Sequence, residues 1–376
     1  MHYFDHSATT PLNPHVKHFM DKVGELHFGN PSSIHFLGRK AKVIIETARK
    51  QMSTAIGCAP QEIIFTSGGT EANNLVLWNM IHKDKKHVVT SAIEHPAILK
   101  TLNYLSNFGV TYTAVAVDKN GLVDPQDVEK AIKDETGLIS IMLANNEVGT
   151  IQPIATIAAI ARSHGIIMHS DAVQALGKIP VIVNELGAGC LSFSAHKFYG
   201  PKGVGALFVE NGIHLKPIIY GGSQEHNMRA GTENTVGISG LGLAAELAVN
   251  NIKSTTDHSQ LLTETFKKLL YQVFPDAVYH GDPNGFLPGL ISVSFPGYRN
   301  DLLLAHLDRK GIAVSSGSAC SSGDVKPSKI LSAMKVDDDL NISTLRISFG
   351  LGNTIDDVSI LIKAINKSLE DIRSLS

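Results

Sequence analysis

Lys197 closes the run Ser192-Phe193-Ser194-Ala195-His196-Lys197, a short strand pattern ending in a lysine and followed by the rigid turn Gly200-Pro201-Lys202-Gly203. Lysines usually sit on solvated faces. One held between aromatic and Gly/Pro neighbours is desolvated, which lowers its pKa toward that of a nucleophilic amine able to condense with a carbonyl compound. Asp171 directly follows the apolar run Gly165-Ile166-Ile167-Met168-His169-Ser170, so its carboxylate should emerge at a strand's carboxyl end. There it could keep the ring nitrogen of pyridoxal phosphate (PLP) protonated; the same position also suits an N-cap for the next helix. Gln174, one helical turn onward, would face the same side, near a ring hydroxyl. His95, in Ser91-Ala92-Ile93-Glu94-His95-Pro96, ends a third such run. A flat imidazole there could lie against an aromatic cofactor and move protons, although a histidine in a turn is often structural.

Four further groups carry potential chemistry. Thr66-Ser67-Gly68-Gly69-Thr70-Glu71 reads as a strand end turning into a helix, which offers backbone N–H groups and a positive dipole end to a phosphate. It is not a Walker A loop, since no lysine follows, and Gly-Gly turns are also common for structural reasons. Asn145-Asn146-Glu147 follows a run ending at Ala144 and adds polar groups at the same edge, in a composition that also makes routine turns. Arg346 stands inside the apolar strand pattern Leu345-Arg346-Ile347-Ser348-Phe349, where a partly buried guanidinium calls for a bidentate carboxylate such as that of an amino acid. Cys320 lies in Ser315-Ser316-Gly317-Ser318-Ala319-Cys320-Ser321-Ser322-Gly323, a small-residue tract expected to be mobile and to leave the thiolate accessible. Cys58 and Cys190 sit in apolar contexts and read as core residues.

These residues need a scaffold that brings strand ends together. Short apolar runs at 62–66, 87–93, 111–117, 137–144, 166–170, 190–194 and 203–209 alternate with amphipathic helical stretches, the pattern of a mostly parallel sheet flanked by helices. In open sheets of that kind ligands bind outside the carboxyl ends of the strands. From about Ile252 the pattern changes to a long polar helix and then Pro/Gly-rich strand signals at 281–297, the mark of a second, smaller α+β domain. The 376 residues, 43% of them hydrophobic and 18% charged, describe a globular α/β protein too large for a single small module. With 33 basic and 35 acidic residues interspersed, no basic block suits a row of phosphates, and direct nucleic-acid binding is not expected. No secretion signal and no membrane-spanning run is visible, which implies a cytoplasmic protein. Three cysteines without CxxC spacing argue against a disulfide framework or an intrinsic zinc site.

Taken in order, the motifs resemble the PLP-dependent cysteine desulfurases, the NifS/IscS-like branch of the class V aminotransferase superfamily. The resemblance spans essentially the whole chain through Asp5-His6-Ser7-Ala8-Thr9-Thr10, Gly29-Asn30-Pro31-Ser32-Ser33, Ser194-Ala195-His196-Lys197 and the Cys320 tract. It implies an aspartate-aminotransferase-like fold: a large PLP-binding domain at 15–255 with a mostly parallel seven-stranded sheet, and a small domain from 1–14 and 256–376 that carries the Cys320 loop. It implies that Lys197 forms the covalent link to PLP, Asp171 pairs the pyridine nitrogen, Gln174 and Asn146 contact the ring-oxygen side and His95 stacks on the ring. Gly69, Thr70, Ser194 and His196 would hold the phosphate. Thr232, in Arg229-Ala230-Gly231-Thr232-Glu233-Asn234, matches a threonine that relatives supply across a homodimer. L-cysteine would place its carboxylate on Arg346 and Asn146, and its sulfur would pass to Cys320 as a persulfide and then to an acceptor, an iron–sulfur scaffold or a tRNA-thiolation enzyme. Cys320 would be the sole candidate cluster ligand, and only when docked on a scaffold. Its long tract matches the long-loop branch, and the one small departure is Ala195, where many relatives carry glycine. A selenocysteine lyase or another class V enzyme would keep Lys197 and Asp171 without needing Cys320; a non-catalytic partner protein would need none of them.

Overall fold

The computed structural model describes residues 1–316 and 326–374. Its largest sheet runs, edge to edge, through Ile63–Thr66, Gly205–Val209, Cys190–Ser194, Ile167–Asp171, Thr136–Ser140, His87–Ser91 and Thr111–Val115. All are parallel except Gly205–Val209, which is antiparallel to both neighbours. The runs at 87–91, 190–194 and 205–209 are buried at every position, as strands covered by helices on both faces must be. The edge strand Thr111–Val115 is mostly open and accordingly alternates polar and apolar residues.

One apolar core, with Phe65, Ile139, Met168, Phe193 and Phe208, fills one face of this sheet. A second, with Ile64, Leu75, Val88, Leu138 and Leu207, fills the other. Alternating strand residues thus serve opposite faces, as the two-residue repeat requires. Beneath the first core the helices Phe36–Ile56 and Thr235–Asn250 pack closely. A Cβ on Gly242 would lie 2.5 Å from the Ala48 backbone, so glycine is what permits that approach.

A second body has its own core, including Phe4, Phe266, Val293, Phe295, Leu345 and Phe349. Here the antiparallel strands Val278–His280, Leu290–Ser294 and Thr344–Ser348 are backed by the helices Ile252–Val273, Asn300–Arg309 and Ile355–Arg373. The chain's first strand, His2–Tyr3, pairs with Ile312–Ala313 of this body, and Asp5 bridges to Ser348. Residues 7–10 then cross to the large sheet, where Thr10 donates to the His196 carbonyl from both its N–H and its hydroxyl. Among the described residues no helix is long and apolar enough to cross a membrane.

Candidate active site

Five parallel strands end in polar residues on one edge of the large sheet: Thr66, Ser91, Ser140, Asp171 and Ser194. Asp171 is almost fully buried. Its Oδ2 accepts from Asn73 Nδ2 at 2.7 Å and its Oδ1 from the Val173 N–H at 3.0 Å. Among the described residues no cation lies within ion-pair distance of it. The expected helix after Asp171 is absent: residues 173–175 and 177–178 are turns around a bridge between Leu176 and Ile179, because Gly177 is left-handed and Pro180 cannot extend a helix. Gln174 nevertheless returns to the same side. Its Nε2 donates to the Ser7 carbonyl at 2.8 Å and its Oε1 accepts from Lys178 at 2.7 Å.

Lys197 ends the turn after Ser194. Its ammonium donates to the carbonyls of Ser7 and Ala8 at 2.6 and 2.9 Å. Burial pushes its pKa down to about 8, and Arg346 pushes the same way, against Asp171 and Asp5. A poised amine is therefore held by carbonyls that share none of its charge. His95 caps the helix Pro96–Leu105, its Nδ1 accepting from the Ala97 N–H. That N–H can only donate, so Nδ1 is unprotonated and Nε2 carries the hydrogen of the neutral ring. The ring is open to solvent in the single chain, yet surrounding protein holds its pKa below the usual imidazole range, with Asp171 raising it and Lys197 lowering it.

Beside these groups lies a cleft of about 330 Å³ lined by Thr9, Gly68, Gly69, Thr70, Ser194 and His196, with Lys202 at its side. It opens at the first turn of Gly69–Trp78, whose unpaired N–H groups favour an anion. The cradle accepts no bulk. Gly68 has a φ of 155°, and a Cβ on Gly69 would stand 2.5 Å from Val173 Cγ2. His196 is fixed by Thr9 Oγ1 at 3.1 Å, and burial, with Lys197 and Lys202, lowers its pKa to about 4.

Arg346 is 5% exposed. Its Nη2 meets Asp5 Oδ1 at 2.8 Å, its Nη1 donates to the Asn146 carbonyl at 2.9 Å, and its buried Nε has no partner among the described residues. The carboxylate expected from the sequence is therefore supplied in part by the chain itself. Asn145 sets the loop: its Oδ1 accepts from the N–H groups of Glu147 and Val148, and its Nδ2 donates to the Ile93 carbonyl beside His95. Both stems of the Cys320 tract reach this corner, Ser315 through backbone bonds to Arg346 and Ser328 through its hydroxyl to Glu147. Cys320 itself lies outside the described residues. Cys190 is buried and Cys58 half-buried, and burial pushes both thiols up to about 12.

The structure thus gathers Lys197, Asp171, Gln174, Ser194, His196, Gly69 and Thr70 at one sheet edge, with Arg346 and Asn146 joined across it. Thr232 is not among them. It is exposed beyond a backbone turn of three successive left-handed residues, Glu225, His226 and Asn227. Two hydrogen bonds from Arg49 to the buried Glu225 carboxylate hold that turn. Nothing in the residue pattern marks Asn73, Asp5, Lys178 or the Ser7 carbonyl. Their partners lie up to 341 positions away, and the only available signal was the Asp5-to-Thr10 motif, which names residues without contacts.

The donor set fits PLP. A buried, cation-free carboxylate suits a protonated ring nitrogen, a desolvated amine stands by for the aldehyde carbon, and a side-chain-free helix start suits a phosphate. A family model for aminotransferase class-V matches residues 2–361. The cysteine desulfurase IscS of Dictyoglomus turgidum is 44% identical over 100% of this chain and 96% of its own length. Among solved structures, a NifS-like protein superposes with a TM-score of 0.93 at 37% identity, covering 98% of this chain and 99% of that one. A structure described as SspA in complex with cysteine superposes with a TM-score of 0.83 at 34% identity, covering 93% and 99%. The chain belongs to the class-V aminotransferase family, and within it to the cysteine desulfurases that depend on PLP.

Proposed function

We propose that this edge converts L-cysteine to L-alanine, with the sulfur delivered to Cys320 and from there to an acceptor protein. The observation that carries the reading is Lys197, an amine lowered to about 8 and held only by carbonyls, beside the cation-free carboxylate of Asp171. The cysteine bound to a structural relative supports the choice of substrate.

PLP, when bound, supplies an electron sink conjugated to the substrate Cα. Lys197 would attach it, Asp171 would hold its ring nitrogen, Gln174 and Asn146 would contact its oxygen side, and His95 would lie on its face. Gly69, Thr70, Ser194 and His196 would bind the phosphate, completed by Thr232 of the partner subunit in a homodimer. The dimer reading is supported by large apolar side chains left open on one chain, Phe28, Ile34, Phe36 and Tyr220. Arg346 would orient the substrate carboxylate, the guanidinium being steadied by Asp5 and the Asn146 carbonyl. Once released, the Lys197 amine would take the Cα proton, and its low pKa suits it to do so near neutrality. His95 would manage the substrate thiol proton through Nε2, the ring nitrogen that the Ala97 N–H leaves unengaged. The Cys320 thiolate would then attack the substrate sulfur. A new S–S bond forms as the C–S bond breaks, and the carbon fragment gains protons to leave as alanine. The chain divides, on this reading, into a large unit at 15–255 and a small unit from 1–14 and 256–376. An iron–sulfur scaffold or a tRNA-thiolation enzyme would receive the sulfur.

The test is the visible spectrum of the purified protein with and without L-cysteine, alongside alanine and sulfide assays in wild type and Cys320→Ser. The expected result is a PLP band in both proteins and alanine in step with sulfide under reductant in wild type alone. A Cys320→Ser protein as active as wild type would sink the sulfur-relay step, and a colourless wild type would sink the whole reading.

A further inference from the structure

Lys178 is a partly buried amine to which the reaction above gives no task. It borders, together with Lys197, a second cavity of about 410 Å³ behind the site. Its Nζ donates to Gln174 Oε1 at 2.7 Å. The other end of that amide, Nε2, donates to the Ser7 carbonyl at 2.8 Å, and the same carbonyl accepts from Lys197 Nζ at 2.6 Å. Two lysines are thus joined through one amide and one carbonyl.

The roles at each end of the amide are forced. A backbone carbonyl can only accept, so turning Gln174 over would set Oε1 against the Ser7 oxygen, lone pair to lone pair. Gln174 therefore keeps its oxygen on Lys178. Its second amide hydrogen has no acceptor among the described residues. That hydrogen is the donor the amide still has to offer.

We infer that Lys178 is a positioning residue: by holding Gln174 Oε1 it locks the amide with its N–H available to the oxygen side of the PLP ring, and it communicates through the Ser7 carbonyl with Lys197. The inference rests on the proposed contact between Gln174 and the ring oxygen. No carboxylate pairs with Lys178 among the described residues. The charged and titratable groups that face it are Lys197 and Arg346, which add to burial in pushing its pKa down to about 7, and His6 and His196, whose pKa values it lowers in turn.

The test is a pH titration of the visible band of the holoprotein in wild type, Lys178→Met, Lys178→Arg, Gln174→Ala and the Lys178→Met/Gln174→Ala double variant. Without Lys178 the oxygen end of Gln174 is no longer anchored, so its free N–H is less well aimed at the ring oxygen and the proton at the Lys197 nitrogen is held more tightly. The midpoint should rise by about half a pH unit or more in Lys178→Met. Lys178→Arg should restore it, and in the Gln174→Ala background the same Met substitution should move it by less than about 0.2 unit, because coupled residues are non-additive. Equal shifts in both backgrounds would mean the charge acts through space, and would overturn the inference, as would an unmoved midpoint in Lys178→Met. Should Lys178→Met fail to fold, Lys178→Gln carries the test: it can still donate to Gln174 Oε1 but has no charge, so the midpoint should stay within about 0.2 unit of wild type, and a rise of about half a unit or more refutes the role. A wild type without the band would instead defeat the PLP reading on which the inference stands.

Discussion

Asp5→Asn probes the one carboxylate that the described residues place on Arg346. Asn retains an oxygen near the Nη2 position, 2.8 Å from the present Oδ1, but removes the charge. Arg346, 5% exposed and already short of a partner at Nε, stays buried. Deleting one partner of a buried pair outright costs about 3–5 kcal/mol. Exchanging a charge-assisted hydrogen bond for a neutral one at the same distance retains part of that, which leaves a loss of about 1–2 kcal/mol. If the guanidinium orients the substrate carboxylate, most of the loss reappears in binding, and KM for L-cysteine should rise about tenfold while kcat changes less. A second consequence has a fixed sign. Asp5 raises the pKa of Lys197, so the variant should push that amine below its present value of about 8. Steady-state kinetics, denaturant unfolding and the pH dependence of PLP capture by apoprotein together read these effects. Unchanged KM and stability, with a capture midpoint that stays or rises, would refute the assignment of Asp5 as the support of Arg346.

Gly69→Ala should lower PLP affinity by tenfold or more without removing Lys197, because the added methyl meets Val173 Cγ2 at 2.5 Å and must push the phosphate-binding turn outward; equilibrium titration of apoprotein with PLP checks it. The rate of PLP capture by wild-type apoprotein should rise with pH and level off above about 8, since only the neutral Lys197 amine is nucleophilic. Apoprotein stability carries the same sign. Folded Lys197 lies below its ordinary value of 10.5, so between about 8 and 10.5 the unfolded chain binds more protons, and the contribution of Lys197 to stability should increase with pH across that window. Lys197→Met should abolish this slope in denaturant unfolding.

Much of the scaffold was legible because buried parallel strands must be apolar along their length. The runs at 62–66, 111–117 and 190–194 stand in the structure within two residues of where their composition puts them. The run expected to reach Ala144 stops at Ser140, since Asn145 folds the following residues into a side-chain-bonded turn that periodicity does not report. Spatial order was not legible either: that Gly205–Val209 inserts antiparallel between Ile63–Thr66 and Cys190–Ser194 depends on pairing between distant strands. The same limit governs the site. Lys197 and Asp171 stood out because each follows an apolar run, a local signal. Asp5 and Lys178 did not, because a charge's partner across a fold leaves no mark on its own neighbours. Gln174 lay between: its side was expected, but Gly177 made the connection a string of turns instead of a helix.

The crossing made by residues 5–10 also sets an order of events during synthesis. Asp5 and the Ser7 carbonyl are made before the rest of the site, and Arg346 follows 341 positions behind Asp5. Lys197 and Gln174 arrive midway and find the Ser7 carbonyl only if the early segment is still free to lie across them. The large sheet can therefore condense on a growing chain while the corner that steadies Arg346 remains open, and contacts of such separation close slowly. A nascent chain has the amine long before it has the clamp. Emergence of the Arg346 strand, more than the assembly of the sheet, is then the moment at which this corner can close.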